Sequence, residues 1–576
     1  MNGREIKAAT VAVVVVFLLL GLRLWQLQVL KGAELRRLSE QNRLRVEKLP
    51  PPRGIIYDRK GRPLVKNSPF YSVALLPEMA QRADIPRLAR FLGIPQEELR
   101  RKVRSGRGQL EPIRLKEGLS FQELAWYEAR LSDYPELLID VDITRHYLYG
   151  QAAAHLIGYI GELRASQLQE PLYRGLPMGT VVGQWGVERL YDPLLRGSPG
   201  KRFVEVDALG RELRVLKVQP PRKGQDIVLS LDMELQLAAE EAFGEHSGAL
   251  VALEPSTGQV LALLSRPSFD PNLFSRGIRA EDWLRLSQDE AHPLFNRALQ
   301  GQHPPGSVFK LVVAAAGLQE GLLEPQEEEK CLGGLWLGRR RFGCWKEQGH
   351  GKLDLYRAIV ESCDVYFYQA GLKIGVDTIA RYARGFGFGF QVGTGLAPEA
   401  PGLVPDTRWK LQRLGQPWYM GETLNTAIGQ GYVLVSPLQM ARFAAALAEG
   451  KGLRQVRFLK GEVGEVVRPL PISQETLQFI RQAMRGVVQD KRGTGRAAGV
   501  GGLSVAGKTG TAQVAAKEKE VKDHAWFVAF APFEAPRIAL AVVLEHGGHG
   551  GSAAAPVARK VIKQYLKGLE DANKSS

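Results

Sequence analysis

The chain reads as an α+β multidomain protein. It has one apolar N-terminal helix, an extended α/β pedestal with an inserted head, and a domain in which an antiparallel sheet packs against a helical cluster. Three observations predict this. Ala8 to Leu22 is uncharged and mostly apolar. Within residues 224–566, strand-like segments stand at both ends and helical segments lie between them. At the centre of that stretch, Val308 to Ala316 is apolar on every side except at Lys310, the mark of a buried helix.

Taken in order, residues 1–7 carry Arg4 and Lys7, and residues 8–30 form the apolar segment. With Arg23 snorkelling toward headgroups, about twenty residues are available to span a bilayer. No small-x-small site follows the apolar run, so we read a retained signal anchor rather than a cleaved leader. A buried core helix is the alternative. Flanking charge does not orient the span, because Arg23, Lys31, Arg36 and Arg37 follow it.

Residues 31–223 form the pedestal. Lys31 to Val46 has apolar spacing compatible with a helix, ended by Pro50-Pro51-Pro52. Arg53 to Arg59 alternates like a strand and turns at Lys60-Gly61. Helical stretches Asp84–Phe91 and Gln96–Val103 place a head within about Tyr71 to Tyr147; it carries no chemical motif and reads as a docking surface. The acidic residues Asp58, Glu162 and Glu188 read as structural partners of arginine rather than as catalysts.

The second domain follows the Pro- and Gly-rich passage near 196–224. Gln225–Leu231 reads as a strand and Met233–Phe243 as an amphipathic helix. Gly248–Pro255 with Gln259–Leu264, and Trp526–Ala531 with Arg537–Leu544, read as hairpins. A last helix is expected over Ala554–Leu566, with 567–576 a flexible tail.

Three short strings carry the chemistry: Ser307-Val308-Phe309-Lys310, Ser362-Cys363-Asp364 and Lys508-Thr509-Gly510. Alone, the first describes a snorkelling lysine, the second a helix cap and the third an exposed strand. Ser198 to Lys201 also fits S-x-x-K, but its Pro-Gly places it in a turn. Pro304-Pro305-Gly306, by contrast, delivers the chain to Ser307 at the start of the buried helix. Spaced by three, Ser307 and Lys310 share one face. A serine hydroxyl becomes a nucleophile when a neighbouring base accepts its proton, and burial of a lysine favours the neutral amine that can do so. Leu503 to Val514 reads as a strand in which Gly510 admits a substrate backbone while Lys508 and Thr509 suit a terminal carboxylate.

Together these strings resemble the active-site set of penicillin-binding proteins and serine β-lactamases. His303 to Lys310, Leu424 to Gly431 and Ser436 to Ala441 resemble the framework of the high-molecular-weight class B penicillin-binding proteins. Arg53 to Gly61, His155 to Glu162 and Gly183 to Glu188 resemble motifs of that class's N-terminal module. Asp364 departs from the Asn usual in the superfamily, and an acceptor-only carboxylate cannot donate to substrate; the variant is similar to the elongation-type penicillin-binding protein 2 branch. The resemblance implies a penicillin-sensitive peptidoglycan D,D-transpeptidase with Ser307 as nucleophile, Lys310 as base and Ser362 as proton relay. Lys508 and Thr509 would hold the carboxylate, and the N–H groups of Ser307 and Thr511 the oxyanion. It further implies stem peptides and lipid-linked glycan as substrates, β-lactams as inhibitors, and a SEDS glycosyltransferase with elongation scaffold proteins as partners. The location implied is the bacterial inner membrane, with residues 1–7 cytoplasmic and the catalytic domain periplasmic. A β-lactamase or β-lactam sensor, or a non-catalytic activator of a wall polymerase, are the other classes to weigh.

Three cysteines in an exported chain need explanation. Cys331, Cys344, His350 and Cys363 are spaced Cys-x12-Cys-x5-His-x12-Cys, a Cys3His zinc set without the short knuckle. The elongation-type resemblance implies a structural zinc there. A Cys331–Cys344 disulfide with Cys363 free is the alternative. The net charge of +16 comes from scattered basic residues without a nucleic-acid module, so we expect a membrane or wall polymer rather than nucleic acid.

Overall fold

The computed structural model describes residues 3–32, 44–106, 112–206, 212–396, 398–514 and 522–575. The chain divides into two compact units, one of residues 1–54 with 193–225, the other of 55–192 with 226–576.

In the first unit, Gly3–Trp25 is α-helical and Gln26–Leu30 continues as a π-turn. Ala9–Leu30 is long and apolar enough to cross a membrane, and its window is not buried by protein. Most of the helix expected over 31–46 lies outside the described residues. Its end is a correction: Leu44–Leu49 is a strand, antiparallel to Gly200–Val206, which also pairs Glu212–Gln219. The partner lies about 150 residues away, beyond the reach of any local window.

The second unit begins with a mixed sheet. Its order is Ile227–Val228, Ile56–Tyr57, Pro63–Leu75 and Ile113–Glu117, and Leu137–Tyr147 pairs Pro63–Leu75 from Val65↔Tyr147 to Leu75↔Leu137. The strands expected over 53–59 and 225–231 are thus two residues each. Asp58 cuts the first short, because its fully buried carboxylate accepts the N–H groups of Lys60 and Arg62 (both 2.9 Å) and pairs the Arg62 guanidinium at 2.7 Å. Glu188 pairs Arg145 at 2.7 Å, both buried. Helices Ile85–Leu92, Gln96–Ser105 and Phe121–Glu128 close the head over its own core, which includes Val73, Leu88, Leu99, Leu115 and Leu137.

A second five-stranded sheet is made of β1 (Gly248–Leu253), β2 (Val260–Arg266), β3 (Ala506–Ala512), β4 (His524–Ala531) and β5 (Ile538–Leu544). They run β2-β1-β5-β4-β3 with every neighbour antiparallel. β1 and β5 are buried along their whole length, which explains their unbroken apolar sequence. One face packs on Met233–Phe243 and on Ala554–Ser575, through Phe243, Ala558 and Ile562. That last helix runs to Ser575, past the expected end at Leu566, since Gly568 alone does not outweigh Lys567, Leu569, Glu570 and Ala572. Helices Leu355–Val360, Asp364–Ile374, Val376–Gly385 and Gln474–Gln489 pack around Lys310–Gln319, of which Lys310 to Gly317 is buried, while Pro437–Glu449 lies against the sheet.

Candidate active site

Ser307 lies in a 3-10 turn, Gly306–Phe309, and the α-helix begins at Lys310. In 3-10 geometry residues three apart eclipse, so the shared face of Ser307 and Lys310 is kept. Glycines bring main chain against this turn. Gly306 has φ +55°, and a Cβ there would stand 2.4 Å from Thr511 O and 3.0 Å from Thr511 N. A Cβ on Gly429 would meet Gly306 O at 2.2 Å, and one on Gly510 would meet Pro305 O at 2.7 Å. Gly306 N–H donates to Gly429 O at 3.0 Å, Gln430 Nε2 to Thr511 O at 3.0 Å, and Trp526 Nε1 to Pro304 O at 3.0 Å. The half-buried serine is thereby fixed between the Leu424–Gly431 segment and β3.

Lys310 is fully buried. Its Nζ donates to Asp364 Oδ1 at 2.7 Å, to Ser362 O at 2.9 Å and to Ser362 Oγ at 3.4 Å. Lys508, also fully buried, donates from Nζ to Ser362 Oγ at 2.9 Å and to Thr509 O at 3.1 Å. One hydroxyl therefore touches both lysines. Burial, and then the charge of Lys310, holds the Lys508 amine well below the usual lysine range, against the opposing pull of Asp364. Ser362 has φ +56°, a strained position for a side chain with a Cβ, on the order of 1 kcal/mol or more.

Asp364 departs from the Asn that the resemblance implies, and its surroundings are those of a carboxylate. Oδ1 accepts from Lys310, and Oδ2 accepts the Trp345 N–H at 2.9 Å. The Trp345 indole N–H reaches Ser362 O at 3.1 Å, while 59% of the residue is exposed. Trp345 went unnoticed in the sequence, although it directly follows Cys344. Thr494 was also missed; its hydroxyl lies 2.8 Å from that of Thr509, and a threonine between two glycines gives no sequence signal. Ser198 is exposed, but it lies on an isolated antiparallel bridge to Arg222 rather than in the turn its Pro-Gly predicts. Its N–H donates to Arg222 O at 3.0 Å and its O accepts the Arg222 N–H at 2.9 Å, a pairing 24 residues away that outweighs the local signal.

Cys331, Cys344, His350 and Cys363 come together, with ligand atoms all within 4.8 Å of one another. All three cysteines are free thiols, so the disulfide alternative is not the one realised. His350 Nδ1 lies 3.5 Å from Cys331 Sγ and 3.6 Å from Cys344 Sγ. Those spacings match the roughly 3.6 Å edge of a tetrahedron with bonds of about 2.3 Å to sulfur and 2.0–2.1 Å to nitrogen. The Cys363 thiol beside it pulls Cys344 toward thiolate, while Cys363 itself is pushed up. The donor set thus fits a tetrahedral, thiolate-preferring metal.

Residues 248–563 match the penicillin-binding protein transpeptidase domain, and residues 48–229 the penicillin-binding protein dimerisation domain. The peptidoglycan D,D-transpeptidase MrdA of Acinetobacter baumannii is 37% identical over 96% of this chain and 86% of its own length. Penicillin-binding protein 2 of Helicobacter pylori, solved with MreC, superposes with a TM-score of 0.80 at 31% identity, covering 91% of this chain and 100% of that one. A chain of a peptidoglycan synthase complex, solved for its coordination of polymerization and crosslinking, superposes with a TM-score of 0.74 at 34% identity, covering 98% of each. With both domains matched in order, and a relative alike along nearly its whole length, the chain belongs to the class B, PBP2-type (MrdA) peptidoglycan D,D-transpeptidases.

Proposed function

We propose that this protein cross-links peptidoglycan stem peptides during wall elongation through an acyl-enzyme on Ser307. The observation that carries the reading is the Ser362 hydroxyl held against both buried lysines, 3.4 Å from Lys310 and 2.9 Å from Lys508. Ser307 Oγ attacks the penultimate D-Ala carbonyl and Lys310 takes its proton. The oxyanion forms against the N–H groups of Ser307 and Thr511, whose main chains the Gly306 contact brings together. Lys310 and Ser362 pass the proton to the departing D-Ala, and an amine of a neighbouring stem then resolves the ester. Asp364 has the role of keeping Lys310 aimed. Lys508 and Thr509 receive the terminal carboxylate; Gly510, against Pro305 O, leaves no side chain in the way.

A structural zinc on Cys331, Cys344, His350 and Cys363 fits the donor spacing. Four protein ligands leave no open position for catalysis. Two ligands adjoin catalytic residues in sequence, Cys363 between Ser362 and Asp364, and Cys344 before Trp345, whose N–H groups hold Asp364 and Ser362 O. The metal would fix that segment.

The anchor segment, Ala9–Leu30, supports a single pass with the catalytic domain outside the cytoplasmic membrane, where stem peptides are. Solved likenesses in complex with MreC and within a peptidoglycan synthase complex support elongation scaffold and polymerase partners, engaged through the head and anchor. A β-lactamase needs neither the pedestal nor the head. The test is cross-linking of glycan made by a SEDS polymerase from lipid-linked precursor. Muropeptide dimers should form, and vanish with penicillin or with Ser307→Ala; dimers that persist in that variant would contradict the reading.

A further inference from the structure

Away from the serine, a cavity of about 570 Å³ opens between the 387–394 segment, the 453–468 segment and Leu190-Tyr191. Three arginines line it, Arg442, Arg457 and Arg468. Arg442 rises from the helix Pro437–Glu449 and is only 8% exposed. Its Nε donates to Arg454 O at 2.7 Å. Arg468 donates to Arg384 O and stacks over Phe390 at 5.0 Å, and Arg457 bonds the Gln455 amide. Among the described residues, none of the three forms an ion pair.

Their neighbours show that this is not the rule here. Arg454 is paired with both oxygens of Glu449, at 2.7 and 2.5 Å, and Arg384 with Asp406 at 2.6 Å. The acid nearest in influence to Arg442, Glu399, is occupied by the N–H groups of Gly393 and Thr394 and by the Thr394 hydroxyl. Glu462 lines the cavity without pairing to an arginine among the described residues. Burial, and then Arg468, pushes Arg442 down to about 10. Three guanidinium groups gathered around one cavity repel each other, and burying such charge without a counter-charge is costly. A fold that pairs Arg454 and Arg384 leaves these three for something else.

We propose that this cavity binds a diphosphate-bearing ligand. Guanidinium forks match phosphate oxygens bidentately. Three arginines against the one carboxylate of Glu462 favour a ligand of about two or more negative charges. The volume exceeds what inorganic diphosphate fills and lies in the range of about 300–1,000 Å³ typical for larger small molecules. Phe390 and Tyr191 add aromatic surface to the lining, suited to a sugar carried on the diphosphate. Tyr191, held up to about 12 by burial, stays a neutral hydroxyl donor.

The test is calorimetric titration of the full detergent-solubilised chain with inorganic diphosphate, and separately with a lipid-linked glycan diphosphate in nanodiscs. Saturable binding of either is expected, and the arm that binds more tightly identifies the source. Arg442→Gln and Arg468→Gln should each weaken it at least about tenfold, as loss of a charge-assisted bond does. Glu462→Gln should tighten it several-fold, a gain that a misfolded variant cannot mimic. Penicillin acylation of Ser307 should be unchanged in all three, which keeps this site separate from the acyl-transfer reading. Absence of saturable binding in both arms, or binding indifferent to Arg468→Gln and Glu462→Gln, would overturn the proposal.

Discussion

Ser362 Oγ is the atom around which the site is balanced, because it meets two buried amines and Asp364 supplies a single carboxylate. Lys508 is the amine that burial drives toward neutrality. A substrate or penicillin carboxylate arriving beside it favours the charged form. Forming the penicillin complex should therefore take up a proton at neutral pH, seen as indicator alkalinisation in stopped flow and absent in Lys508→Met. The same burial has a cost in stability. A lysine depressed in the folded chain binds its proton more readily when unfolded, so its contribution to stability is worst at low pH and recovers as pH rises toward the ordinary lysine value of 10.5. Lys508→Met should thus abolish acylation yet raise stability at pH 7 by about 1–2 kcal/mol, read as a higher thermal midpoint. A variant that is both inactive and less stable would show that the amine is held by more than its function.

At the scale of elements, the Cys331–Cys363 segment ties the metal-type cluster to the second motif. If zinc fills it, purified protein carries about one zinc per chain, and Cys344→Ser lowers metal content and thermal stability together. Fully stable, fully acylating protein without metal would rule this out. The elements best legible in the sequence were those whose signal is local. The buried helix after Ser307 and the hairpins of the sheet announce themselves by apolar pattern, and β3 by its Val, Thr and Ala content beside glycines, although it spans Ala506–Ala512 rather than Leu503 to Val514. Leu44–Leu49 was misread because its pairing with Gly200–Val206 is long-range. The 3-10 turn at Ser307, the φ of Ser362 and the bonds of Trp345 and Thr494 depend on close approach of segments far apart in sequence. Motif spacing singled out the residues that the fold brings together; which atoms of Ser362 and Asp364 face the lysines came only with the fold.

For the molecule as a whole, acyl transfer belongs to the transpeptidase domain, residues 248–563, and the head has a hydrophobic core of its own. Phe121 and Ile143 on the head are 81% and 58% exposed, suited to contact rather than to packing. Phe121→Asp with Ile143→Asp should leave the rate of penicillin acylation within about twofold of wild type, as surface changes away from the site do. The pair should reduce glycan synthesis when the polymerase is reconstituted with it; normal polymerisation with lost acylation would refute that division. The central claim is narrower and can be met by one measurement, intact mass after incubation with penicillin followed by peptide mapping. A single adduct should appear on the peptide holding Ser307, persist in Ser198→Ala and disappear in Ser307→Ala. An adduct that survives Ser307→Ala, or a wild-type protein that gains no mass, would contradict the account.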